Sequence, residues 1–367
     1  MGRGDPDHRK LSTIWQGVLF RKAGGGKTCR MNRPPLPLPK KLPPVFVSRD
    51  LADHGISRDR LRRSDIATLG PGLYADRNRD FTEPELARAL CAKYSHLVLS
   101  GVNAARVHEM PLPPQLSTWD PAAPMSFTTS LKDARPHPMI DLHFSRVEPH
   151  EVRTLRRGNH TLQILSRVRT WLDLASIVPL DYLVAAGDAL VRVPRPNLEI
   201  GRTGAYATLA ELEAAVAAYP GLPGICRARK ALELIRVGSD SAQESRARLA
   251  MVFAGLKEPR LNVPILDEHG RIVCSPDFFW ERERVVGEYD GDYHRTLDAI
   301  ERDRAKDFVY ADRGLEVFRL HIRDLPLLPL NAPDDVVMRA LGNSRAAAVA
   351  QRALRRRTRI ACGPTRS

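Results

Sequence analysis

The chain has 367 residues, enough for two or three domains at ~150 residues each. Its hydrophobic fraction of 43% and charged fraction of 27% exclude wholesale disorder. No run approaches the ~18 apolar residues of a membrane span, and residues 1–31 lack the apolar core of a secretory signal. Lys and Arg outnumber Asp and Glu by 57 to 43, giving a formal charge of +14. Such a surface suits a polyanion, nucleic acid being the commonest, although the arginines of residues 352–366 could equally be a solvated tail. Five scattered cysteines without a C-x-x-C pair read as reduced thiols, and the expectation is a cytoplasmic protein with no membrane partner.

Residues 1–44 are basic, glycine-rich and then proline-rich, so an unstructured leader is expected, with Met31 a candidate start. Gly24-Gly25-Gly26-Lys27-Thr28 is not read as a phosphate loop, because Arg21 stands where that loop requires glycine. Ser48 and Ser57 are candidate caps for two short helices, over residues 49–54 and 58–63, separated by Gly55. Residues 66–75, centred on Gly70-Pro71-Gly72, read as a two-stranded wing. Helices are expected over 83–94, 103–108 and 172–191, and strands over 97–99, 140–144 and 162–165. Helices at 211–218 and 227–235 form a connector spanning 193–238.

Four segments between residues 45 and 191 carry a likeness: Ser48-Arg-Asp-Leu-Ala-Asp-His-Gly55, Leu69-Gly-Pro-Gly-Leu-Tyr-Ala75, Leu99-Ser-Gly-Val-Asn-Ala-Ala-Arg106 and Arg169-Thr-Trp-Leu-Asp-Leu-Ala175. On these, the region resembles the AbiEi-type antitoxin family, whose members begin with a winged helix-turn-helix. The resemblance implies DNA contact by Arg58, Arg60, Arg62 and Arg63; the alternative is a solvated basic face. The chain departs from the family where proline-rich sequence replaces the helix before Ser48.

Residues 239–325 follow the order helix (241–256), strands (262–266, 272–279, 285–289), helix (297–313) and strand (315–320), so the fold class is α/β or α+β, with a mixed sheet flanked by helices. Residues 326–367 are expected as a helix and basic tail. Asp277 and Glu288 fall within or beside otherwise apolar strands, where a lone acid is costly to bury. Two or three acids sharing a hard cation such as Mg²⁺ or Mn²⁺ remove that cost and suit phosphodiester hydrolysis. Asp277 and Glu288 are therefore candidate ligands together with the Tyr289 carbonyl, and Glu244 from the preceding helix reaches the same place.

The set Pro276-Asp277, Glu288 eleven residues on, Asp290-Gly291 and His294 resembles the PD-(D/E)XK nuclease superfamily and, within it, the Vsr-like group. The resemblance implies a restriction-endonuclease-like domain acting on double-stranded DNA, with His294 as general base. The motif lysine two residues after Glu288 is here Asp290, and Lys306 is a candidate to restore its charge and to touch nucleic acid. Other readings stay open: His294 as a helix cap, Glu244 as an arginine partner, Arg302 and Arg319 as phosphate binders or anchors of the acids. Phe279 and Trp280 read as core. The functional expectation is a metal-dependent endonuclease, nicking included. The alternatives are a non-enzymatic DNA-binding regulator or antitoxin on a degenerate nuclease fold, and RNA cleavage.

Overall fold

Proline and glycine decide where the elements of this chain begin and end. The computed structural model describes residues 36–131, 138–157, 160–195, 201–291 and 297–361, and the chain is mixed α+β. The residues fall into two compact units, one of residues 1–109 and 114–166, the other of residues 110–113 and 167–367.

In the first unit, β1 (Val45–Val47) pairs with β3 (Leu73–Asp76), which also pairs with β2 (Ile66–Gly70). The β2–β3 turn is the expected wing, with Gly72 at φ +70°, a conformation that glycine adopts without a Cβ clash. Between β1 and β2 lie α1 (Asp50–Asp53) and a 3₁₀ stretch, Arg58–Arg62, in place of the α-helix expected there. Five 3₁₀ residues, none of them buried, lack the apolar face that would have seated a longer helix. The last residues of the expected leader are packed: Leu42 is fully buried with Phe46, Leu51 and Ile66.

A five-stranded sheet of order β6-β5-β4-β8-β7 completes this unit. Along the chain come α2 (Glu83–Lys93), β4 (Val98–Leu99), α3 (Gly101–Val107), α4 (Pro114–Ser117), β5 (Met125–Thr129), β6 (Ile140–Phe144), β7 (Val152–Arg157) and β8 (His160–Leu165). α2 begins with a Thr82–Glu85 capping box and lies against β8. β5 and β7 were not expected from the sequence.

In the second unit, the helix expected over 172–191 is two helices, α5 (Arg167–Leu174) and α6 (Leu180–Val191), with Pro179 as the α6 N-cap. Proline cannot donate the hydrogen bond that would carry one helix through this point. Both pack with the second unit, so the division falls after Ser166 and not near residue 192. Next come α7 (Leu209–Ala218), α8 (Ile225–Leu234) and α9 (Ala242–Phe253), the last capped by Ser241, whose hydroxyl accepts the Glu244 N–H.

The sheet of this unit has the order β14-β13-β12-β9. β12 (Phe278–Trp280) pairs antiparallel with both β9 (Arg260–Leu261) and β13 (Val285–Asp290), and β14 (Glu316–His321) runs parallel to β13 with Glu288 opposite Arg319. β10 (Ile265–Leu266) and β11 (Ile272–Cys274) form a separate ribbon, because Pro264 and Pro276 interrupt strands expected to be continuous. The crossover from β13 to β14 is α10 (Leu297–Asp312). α11 (Asp334–Gly342) and α12 (Arg345–Ala361) follow, with α12 against β13 and β14. Gly287 admits the Phe318 ring where any Cβ would collide with it. Among the described residues no helix is long and apolar enough to cross a membrane.

Candidate active site

Alternation along β13 puts Val286 and Glu288 on one face. Val286 joins the apolar cluster of Ile265, Cys274 and Tyr310, so this face meets α10. Glu288 is thereby carried into a buried position, at 5% exposure, one step beyond the last β12–β13 pair, Phe278 with Gly287. Where that ladder ends, the Asp277 side chain continues it: its Oδ2 accepts the Tyr289 N–H at 2.7 Å. The acid preceding β12 and the acid within β13 thus lie together because one of them caps the other's strand.

Glu244 enters from the first turn of α9 and is 7% exposed. Its Oε2 accepts the Asp240 N–H at 2.9 Å and the Asn262 Nδ2 at 3.2 Å. Asn262, at φ +50°, also donates to the Gly238 carbonyl at 2.7 Å and accepts from Arg195, which in turn pairs with Asp240. Burial raises the Glu244 pKa, opposed by the bonds from Ser241 and Asn262 and by the charge of Arg195.

Burial, and then the negative fields of Glu244 and Glu288, push the Asp277 carboxyl well above the usual carboxylate range. Burial is the larger cause, and the like charges add to it. Glu288 takes two donors from α10: Lys306 Nζ to Oε2 at 3.2 Å and the Tyr310 hydroxyl to Oε1. Burial and the Glu288 charge raise the Tyr310 pKa, so the phenol stays a donor.

Asp277 therefore lies within the fields of both Glu244 and Glu288, and Lys306 bonds Glu288. Among the described residues no three His, Cys, Asp or Glu side chains are closed up as a ready-made metal cage. Each acid has its own hydrogen-bond partners: Lys306 and Tyr310 for Glu288, Asn262 for Glu244 and the Tyr289 N–H for Asp277. As a donor set, carboxylate oxygens suit a hard divalent ion. His294 lies outside the described residues, as does the side chain of Arg302.

Arg319 anchors acids, pairing with Asp290 at 3.3 Å and with Asp307. Trp280 is core: its Nε1 donates to the Lys257 carbonyl at 2.7 Å and its ring tilts against Phe318. Phe279 packs against the Val286 cluster. In the first unit, Arg58 and Arg62 are exposed and Arg63 is half-buried. Arg60 is corrected from a free basic residue to a structural one, since its guanidinium grips Asp65 at 2.7 Å and the Leu36 carbonyl at 2.8 Å. Sequence reasoning missed Tyr310, Asn262 and Arg195. Tyr310 had a signal, being one helical turn beyond Lys306 on the same face; Asn262 and Arg195 had none.

The fold and the site define an α+β protein with a buried cluster of acidic side chains. Over 97 residues the chain is 37% identical to an uncharacterized protein of Mycobacterium tuberculosis strain H37Rv, and equally to one of strain CDC 1551 / Oshkosh. The match covers 26% of this chain, and the chain spans about a third of the length of those relatives, 35%. No protein-family profile and no solved structure matches it.

Proposed function

We propose that the second unit hydrolyses phosphodiester bonds of DNA as a metal-dependent endonuclease of the Vsr-like PD-(D/E)XK kind. The observation that carries this reading is the placement of Asp277 beside the strand of Glu288, its Oδ2 accepting the Tyr289 N–H at 2.7 Å, with the fields of Glu244 and Glu288 adding to burial in raising its carboxyl. Stable folds seldom gather like charges without a ligand to neutralise them. Asp277 and Glu288 would hold a Mg²⁺ or Mn²⁺ ion, with the Tyr289 carbonyl and Glu244 adjacent. Bound there, the ion would supply Lewis acidity and offset charge on a phosphate.

Lys306 brings a positive charge to Glu288 from α10, in place of the motif lysine that is Asp290 in this chain. Its role is to orient Glu288 and to attract a phosphate oxygen. Tyr310 fixes the other oxygen of Glu288. His294 is the proposed base that takes the proton from the attacking water as the P–O bond breaks.

The same Asp290 favours a second reading. Arg319 is tied to it at 3.3 Å, which suits a binding platform that has lost catalysis and serves a DNA-associated regulator. The test is cleavage of supercoiled plasmid with Mg²⁺ or Mn²⁺, alongside a single-stranded RNA of matched length. Wild type is expected to cut or nick the plasmid, with Asp277→Ala lowering the rate at least about a hundredfold. Equal rates for both proteins would discard the site. Carboxylate-dependent metal uptake in calorimetry without any cleavage would favour the platform.

A further inference from the structure

The first unit holds a cavity of about 790 Å³, half open to solvent, well away in sequence from the carboxylate cluster. Its size lies within the ~300–1,000 Å³ usual for small-ligand sites. Five cationic side chains line it: Lys40, Lys41, Arg49, Arg79 and Arg88. Three acids line it too, but two already serve the backbone. Asp50 accepts the Val47 N–H at 2.9 Å, and Glu85 accepts the Thr82 N–H at 2.8 Å. Asp53 is the third. The balance left facing the cavity is positive.

The walls differ in character. Buried Leu42, Ala89 and Cys91 supply an apolar surface. Opposed to this in chemistry, Thr161 and Gln163 of β8 bring neutral donors and acceptors, and Arg156 stands beside Thr161 across the β7–β8 ribbon. Arg79 is held in place by a bond from Nη1 to the Leu42 carbonyl at 2.5 Å, which leaves the rest of its guanidinium fork for a ligand. Lys40, Lys41 and Arg49 are exposed at the rim.

We propose that this cavity binds a nucleoside phosphate, with the phosphates among the lysines and arginines and the base against the apolar wall. A concave site with an apolar floor and a cationic rim fits a compact ligand carrying one flat ring and two or three phosphates. A duplex backbone, by contrast, needs an outward-facing row of charges. The strap of residues 36–44, expected from its prolines to be loose, instead forms part of this site through Lys40, Lys41 and Leu42.

The experiment is isothermal titration of the full chain with ATP and with GTP in EDTA, so that no divalent ion engages the acids of the second unit. Adenosine, guanosine and a 20-base-pair duplex are titrated in parallel. Binding of at least one triphosphate with Kd below about 1 mM is expected, weakened at least tenfold by the rim pair Lys41→Glu and Arg49→Glu. These side chains are exposed, and circular dichroism verifies that the variant folds. The proposal is overturned if neither triphosphate binds, if the nucleosides bind equally well, or if the variant binds triphosphate as wild type does. It is equally overturned if the variant loses only duplex binding.

Discussion

Two regions of the second unit bury acids and treat them in opposite ways. On α6, Asp181 and Asp188 are both fully buried, and each meets an arginine from α9: Arg246 at 2.7 Å and Arg248 at 3.0 Å. Burial pushes the Asp188 carboxyl up, but Arg248 and the Arg236 N–H pull against it. In the first turn of α9, Glu244 instead adds its field, with that of Glu288, to the burial of Asp277. The first arrangement joins helices to one another. The second sets like charges within one another's fields, and the proposed function rests on it.

Changes at the paired region should have the largest effect. Arg248→Ala strands Asp188 and frees Glu258 from a 2.7 Å partner, and should cost about 3–5 kcal/mol in urea unfolding. A loss under about 1 kcal/mol would erase the distinction between the regions. Next in size is ligand linkage. At pH 8, a divalent ion at a hundred times its Kd should stabilise the wild type by about 2.7 kcal/mol and leave Asp277→Asn unmoved. Equal stabilisation of both would place the ion elsewhere.

Without metal, Asp277→Asn should stabilise the protein by about 1 kcal/mol at pH 8, since the amide oxygen still accepts the Tyr289 N–H while one negative charge disappears. Destabilisation would mean that the acid is balanced in the fold. The smallest effect is its pH dependence. Because the folded pKa of Asp277 lies above its unfolded value, the folded state binds more protons. Its contribution to stability is full below the ordinary carboxylate pKa of ~4 and is lost as pH rises through the raised folded value. The gap between Asp277→Asn and wild type should therefore widen from pH 4 to pH 8, and a constant gap would contradict the shift.

Much of this site was legible. Asp277 and Glu288 stood out as acids in apolar strands, and Glu244 as an acid at the start of a helix bound for the same sheet. Lys306 was visible as spare positive charge, whereas its contact with Glu288 depends on α10 folding back over β13. Asn262 and Arg195 carried no pattern, because each matters only through a partner far along the chain. Strand β7 was hidden for a local reason. Arg153, Thr154, Leu155 and Arg156 are all exposed at a sheet edge, so no apolar alternation marks them.

Composition and spacing by themselves determined the basic balance, the mixture of helices and strands in the second unit, and the acids worth watching. These depend on local preference and on which face of an element is apolar, both of which are written in neighbouring residues. The tertiary structure alone decided which acids gained an arginine and which gained one another, that residues 36–44 wall a cavity, and that Arg60 is spent on Asp65. Charge and burial act through space over a few ångströms, and only the folded chain sets those separations.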